Sequence, residues 1–171
     1  DIRAQLFNET GNPIGEEFRV NTWTGSAQYT PSVATLNDGG FVITWRDDSG
    51  HDGGSGIDVF GQRYDAGGSA LGEEFLVNSY TGSTQHTPSV AALKDGGFIV
   101  SWNDYSGVGA AADGSGYDIR GQKFDSKGAT VGEEFLVNQS MDSGYQYTPS
   151  VAGLKDGGYV VSWRDDSGSS H

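Results

Sequence analysis

An all-β fold made from three copies of one unit is what this sequence predicts, and three observations predict it. The stretch DGGFVITWRDDSG at Asp38–Gly50 returns as DGGFIVSWNDYSG at Asp95–Gly107 and as DGGYVVSWRDDSG at Asp156–Gly168, so that Trp45, Trp102 and Trp163 hold one repeat position. The 28 glycines, 4 prolines and 12% aromatics, with almost no helix-favouring run, describe short strands joined by turns. Apolar segments of strand length alternate with Gly, Asn, Asp and Ser clusters throughout.

Four strand types can be named in each unit. Type C is DIRAQLF at Asp1–Phe7, matched by IDVFGQRYD at Ile57–Asp65 and YDIRGQKFD at Tyr117–Asp125; its alternation and β-branched content mark a strand. A Gly- and Asn-bearing turn (NETGNP at Asn8–Pro13) supplies the positive-φ positions of a hairpin. Type D is GEEFRVN at Gly15–Asn21, repeated as GEEFLVN at Gly72–Asn78 and Gly132–Asn138. Type A is TPSVATL at Thr30–Leu36, TPSVAAL at Thr87–Leu93 and TPSVAGL at Thr148–Leu154, with the proline at the first residue of the strand. An Asp-Gly turn, placed at the positive-φ positions of a type I′ hairpin, leads to type B, which ends on the tryptophan. On the first type B strand Phe41, Ile43 and Trp45 share one face while Val42 and Thr44 on the other are also small and largely apolar, so both faces are expected to be covered.

The order is therefore C-D, then A-B-C-D twice, then A-B: twelve strands in three units of C-D-A-B covering 1–45, 46–102 and 103–171, with the cut in the B–C loop. A repeat of about 57 residues holding four antiparallel strands resembles a β-propeller blade, which runs about 40 to 50 residues. A β-prism or β-trefoil also uses twelve strands. Propellers close with about four to eight blades, so three blades call for a homodimer of six or a longer array.

The net charge of −13 excludes a basic nucleic-acid surface. No run reaches the roughly 18 apolar residues of a membrane span, so no membrane insertion is expected. Cysteine is absent, which removes disulfides and thiolate metal sites. The start at Asp1, inside a repeat and without an apolar leader, reads as a processed chain or an excised fragment.

The B–C loops crowd carboxylates into glycine-rich backbone: Asp47, Asp48, Asp52 and Asp58, then Asp104, Asp113 and Asp118, then Asp165 and Asp166. Calcium takes about six to eight oxygen ligands, and glycines let carbonyls turn inward, so these are candidate calcium ligands; the plainer alternative is aspartate capping its own turn. GGSGIDVFG at Gly53–Gly61 fits one RTX-type nonapeptide, but its nearest relative, DGSGYDIRG at Asp113–Gly121, is distant and imperfect, so a β-roll is not inferred. Trp23 in NTWTGS, with Tyr80 at the matching position and Tyr105 after the second type B strand, are candidate ligand-contacting aromatics. A flat aromatic beside Asn, Asp and Gln suits the face of a sugar ring, whereas Trp45, Trp102 and Trp163 read as core. His51, His86 and His171 occupy unlike positions and read as separate surface residues; no Ser-His-Asp spacing, G-x-S-x-G elbow or H-E-x-x-H occurs.

The combination TPSVAxLxDGGFVVSW, DGSGYDxxGQxFD and GEEFxVN resembles the tandem repeats of very large secreted or surface proteins of bacteria, of the kind that carry RTX calcium repeats and adhesion modules. The resemblance spans essentially the whole chain and implies a secreted or cell-surface location in a calcium-rich setting. The insertions SGVGAAADGSG at Ser106–Gly116 and QSMDSGYQ at Gln139–Gln146 depart from it. The function expected is a non-enzymatic, calcium-stabilised module that presents repeated loops to a glycan or surface partner, because three near-identical loops suit multivalent binding better than one asymmetric catalytic centre. A structural spacer, or a propeller glycosidase or lyase using paired carboxylates such as Asp47 and Asp48, are the alternatives.

Overall fold

The computed structural model describes residues 1–51, 56–107, 118–138 and 144–166. Twelve strands follow in order and none of the described residues is helical: β1 (Arg3–Phe7), β2 (Pro13–Arg19), β3 (Gln28–Thr35), β4 (Phe41–Asp47), β5 (Asp58–Tyr64), β6 (Ala70–Leu76), β7 (Gln85–Ala92), β8 (Phe98–Asp104), β9 (Asp118–Phe124), β10 (Thr130–Leu136), β11 (Gln146–Gly153) and β12 (Tyr159–Asp165). They form antiparallel sheets β3-β4-β5-β6 and β7-β8-β9-β10, flanked by the pairs β1-β2 and β11-β12. Each four-stranded sheet thus joins A-B of one sequence unit to C-D of the next. The all-β, propeller-like architecture expected from the repeats is the one observed.

The type A strands lie side by side from sheet to sheet. The Ser32 hydroxyl accepts the Val90 amide at 3.2 Å and the Ser89 hydroxyl accepts the Val151 amide at 3.1 Å, stitching β3 to β7 and β7 to β11. Type B strands sit between packed faces: β4 and β8 are buried almost throughout, and Trp45 and Trp102 are both 0% exposed. One core, containing Leu36, Val42, Val59, Val77, Phe98 and Trp102, fills the space between the two four-stranded sheets. A second, with Ile2, Val20, Phe41, Trp45, Phe60 and Tyr64, joins β1-β2 to β3–β6. Burial, reinforced by the charge of Glu74, pushes the Tyr64 phenol up to about 12. It therefore stays protonated and donates to the Val20 carbonyl at 3.3 Å.

Three local expectations are corrected. The proline of TPSVA is not the first residue of its strand: it sits with the preceding threonine in a bulge between Tyr29 and Ser32, and likewise between His86 and Ser89 and between Tyr147 and Ser150. There Thr30, Thr87 and Thr148 take φ of 49°, 45° and 47°, a left-handed geometry that a β-branched residue adopts only when its surroundings impose it. The A–B hairpins are not type I′. Only Gly39, Gly96 and Gly157 are left-handed, while Asp38 caps the Gly40 amide at 2.9 Å, the pattern of a type I turn closed by a left-handed glycine. In the C–D turns Gly11, Gly68 and Gly128 alone take positive φ; Asn8 and Asp65 instead accept amides two and four residues on. Asp125 does the same, and its bonds from the Ala129 and Lys127 amides hold its carboxyl below the usual range. Third, Trp163 is 36% exposed, unlike its two counterparts.

Candidate functional site

The aspartates of the B–C loops are for the most part engaged by the protein itself. Asp58 accepts from Asn78 Nδ2 at 2.7 Å and Asp118 from Asn138 Nδ2 at 2.9 Å. Asp104 takes the Ser106 amide and hydroxyl, Gln85 Nε2 and the Arg120 guanidinium. Asp48 and Asp166 hold Arg46 and Arg164 in two-pronged ion pairs, and Asp165 faces Gln146 at 3.5 Å. Asp52 and Asp113 lie outside the described residues. Among the described residues no group of three or more His, Asp or Glu is placed to hold a metal ion.

The remaining candidate, Asp47, leads to a site that also includes the candidate Trp23 but whose other members, His51 and Glu74, the sequence reading missed. Its side chain is fully buried at the end of β4, and Oδ1 accepts the Ser49 amide at 2.7 Å. The turn this makes aims His51 inward rather than to the surface, correcting its reading as an isolated surface histidine. The imidazole is stacked between Trp23, with centroids 4.7 Å apart, and Phe60, at 4.5 Å. Nδ1 lies 2.5 Å from Ser49 Oγ and 3.9 Å from Asp47 Oδ1, and Nε2 lies 3.6 Å from Glu74 Oε1. Glu74 is held in turn by the Thr22 amide and hydroxyl, both donating to Oε2 at 2.9 Å. Asp47 Oδ2 and Glu74 Oε1 are buried without a hydrogen bond. The result is an imidazole set between two buried carboxylates, an arrangement able to exchange hydrogen bonds with a ligand's hydroxyl or amine.

Of these groups Thr22, Trp23, His51 and Glu74 line one end of a cleft of about 590 Å³ that also takes in Arg19, Gln62, Gly72 and Glu73, between β2 and the edge of β3–β6. Trp23 lies at this cleft 53% exposed. The matching cleft one sheet further on, about 370 Å³, is lined by Ser79, Arg120, Gln122, Glu133 and Glu134. There Arg120 sits between Asp104 at 2.5 Å and Glu134 at 3.1 Å, and Ser79 holds Glu134 as Thr22 holds Glu74. At the first position Arg3 meets Glu17 at 2.9 Å in the open. Phe60 stands where the other units have Arg3 and Arg120, and the missing cation is replaced by His51 from the loop. That substitution is the signal in the sequence that could have found the site. Of the other aromatics, Tyr80 is 40% exposed with its ring against Gly82, and Tyr105 is 49% exposed with its carbonyl accepting from Ser83 Oγ.

A second histidine is also embedded. His86 lines a small cavity with Thr87, Asn103 and Tyr147; burial and then the nearby Arg46 charge lower its pKa, against an opposing pull from Asp48. In the unfolded chain it protonates near 6.5, before the folded form does, so the native state is expected to lose stability as pH falls through and below that value. His86→Tyr, which installs the residue found at Tyr29 and Tyr147, should flatten this part of a melting-temperature profile against pH.

No protein-family model and no curated protein matches the chain. Among solved structures it is similar to Hadza microbial sialidase Hz136, with a TM-score of 0.51 at 17% identity over 84% of this chain and 36% of that chain. At this identity the likeness defines the class of fold, a propeller-type β-sheet array. It also corrects the expectation of a module without catalysis. The fold is carried by an enzyme, and the argument from repetition fails here because the His51 cleft differs from its counterparts.

Proposed function

We propose that this chain is a glycan-binding propeller module whose cleft between β2 and β6 takes a neutral or amino sugar. The observation that carries the reading is the exposed Trp23 at a cleft whose floor presents the buried Glu74 carboxylate and Gln62: an apolar plate for a sugar face beside acceptors for its hydroxyls. Similarity to a sialidase adds a fold on which glycan chemistry is done. The charge argues for a different sugar from an anionic one, since Glu73 and Glu74 line the cleft of a chain with net charge −13.

Titration calorimetry against a panel of neutral, amino and acidic oligosaccharides tests this. Trp23→Ala should weaken binding at least tenfold, a loss of about 1.4 kcal/mol. The lost stack on His51 should cost only about 0.5 to 1.5 kcal/mol of stability. A variant that melts much earlier and binds as before would show that Trp23 is a packing residue. The position of His51 between Asp47 and Glu74 favours a second reading, glycoside hydrolysis at the same cleft. Turnover of a bound oligosaccharide that disappears in Glu74→Gln, with binding retained, would select it.

A further inference from the structure

We propose that two copies of this chain exchange strand edges, β12 of each pairing with β1 of the other, to close a six-bladed ring with two composite blades. The interior of the molecule already contains this pairing twice. In β4-β5 the register runs from Phe41↔Tyr64 to Asp47↔Asp58, and in β8-β9 from Phe98↔Phe124 to Asp104↔Asp118. Carried one repeat further, it sets Tyr159 against Phe7, Ser162 against Ala4 and Asp165 against Asp1. Within the described chain, however, β12 pairs only with β11 and β1 only with β2.

The exposed side chains are those that this pairing would bury. Val160 is 51% exposed where Val42 and Ile99 are both 0%; Phe7 is 61% exposed where Tyr64 is 3% and Phe124 is 2%. Leu154 is 44% exposed where Leu36 is 6% and Leu93 is 2%. Beside β1 lies an apolar groove of about 380 Å³ lined by Ile2, Ala4, Leu6, Val33, Phe41 and Ile43. It occupies the place that a type A-B hairpin fills against the other type C strands. The hairpin that fits is β11-β12, because the sheet-to-sheet stitch continues with it: Ser32 serves Val90, Ser89 serves Val151, and Ser150 of a second copy would serve Val33, which is 64% exposed where Val90 is 6%. A mutual exchange is closed by a two-fold axis and leaves neither β1 nor β12 open to further copies. Each copy brings strands for three blades, and six lies within the range in which propellers close.

Light scattering on the 171-residue chain should give twice 18.0 kDa, with dissociation on dilution. Val160→Lys puts a charge into the new pair and should return the single-chain mass with an unchanged circular dichroism spectrum. The register is read separately, in a chain that has no cysteine of its own. Ala4→Cys with Ser162→Cys should form a disulfide-linked dimer on mild oxidation, while Ala4→Cys with Val160→Cys, on the same face direction but two residues out of step, should not. A single-chain mass at every concentration, a mass above the dimer, a dimer indifferent to Val160→Lys, or equal cross-linking by the two cysteine pairs would each overturn the exchange.

Discussion

Trp102→Ala is expected to lower the stability of the fold by about 3 to 5 kcal/mol, the range for truncating a fully buried aromatic. Its ring is 0% exposed in the core that unites the two four-stranded sheets, among Leu36, Val59, Val90, Phe98 and Phe124. The cavity left behind cannot collapse easily, because the surrounding side chains are fixed by the ladders β7-β8 and β8-β9. For a chain of this size each kcal/mol moves the midpoint by about 2 to 4 °C, so thermal melts resolve the effect readily. Trp163→Ala supplies the internal control. Its ring is already 36% exposed on β12, so under conditions that keep the chain monomeric the same substitution should cost far less. Equal losses at the two positions would mean that β12 is covered in solution as β8 is. Trp102→Phe should recover much of the loss, since the indole Nε1 is buried without a hydrogen-bond partner and phenylalanine discards only that donor and part of the volume.

The tryptophans also show why the fold was legible in the sequence and the site was not. Strands announce themselves through period-two patterning and turns through glycine, both local signals, and three copies of each removed most of the ambiguity. Burial is not local: Trp45, Trp102 and Trp163 carry nearly the same neighbours along the chain, yet the third is partly exposed because, among the described residues, β12 pairs with β11 alone while β4 and β8 are flanked on both sides. The type I′ reading of Asp38-Gly39 failed because the hairpin uses one left-handed residue instead of two, leaving the aspartate free to cap Gly40. His51 was passed over because its partners come from three other segments: Trp23 before β3, Phe60 on β5 and Glu74 on β6. The loop carboxylates looked like cation ligands for the same reason. Their partners, Gln85 on β7, Arg120 on β9, and Asn78 and Asn138 just past the ends of β6 and β10, are brought in by strand pairing that the sequence does not display.

Asn78 carries the second large effect. The asparagine ends a type D segment and reads as a turn residue, but it is 3% exposed and works with both ends of its amide. Oδ1 accepts the Val59 amide at 2.8 Å, while Nδ2 donates to Asp58 Oδ1 at 2.7 Å and to the Tyr80 carbonyl at 3.0 Å. Asn21 and Asn138 repeat the pattern, taking the Ile2 and Ile119 amides at 2.7 Å each. One side chain thus ties the start of a type C strand to the exit of its type D neighbour, at the point where the chain crosses to the next sheet. Asn78→Ala leaves a buried amide without an acceptor, at about 1 to 3 kcal/mol, and removes a donor from the buried Asp58. A hydrogen bond to a charged group contributes about 1.5 to 3 kcal/mol. The two terms overlap, and a total near 3 to 5 kcal/mol is expected in urea melts. Asn78→Asp keeps the acceptor for Val59 but sets a second carboxylate against Asp58, so it should be as damaging near neutral pH and recover as acid protonates one of the pair. If Asn78→Asp is instead tolerated at pH 7 and shows no gain on acidification, the amide nitrogen contributes little and the Val59 bond alone holds the corner.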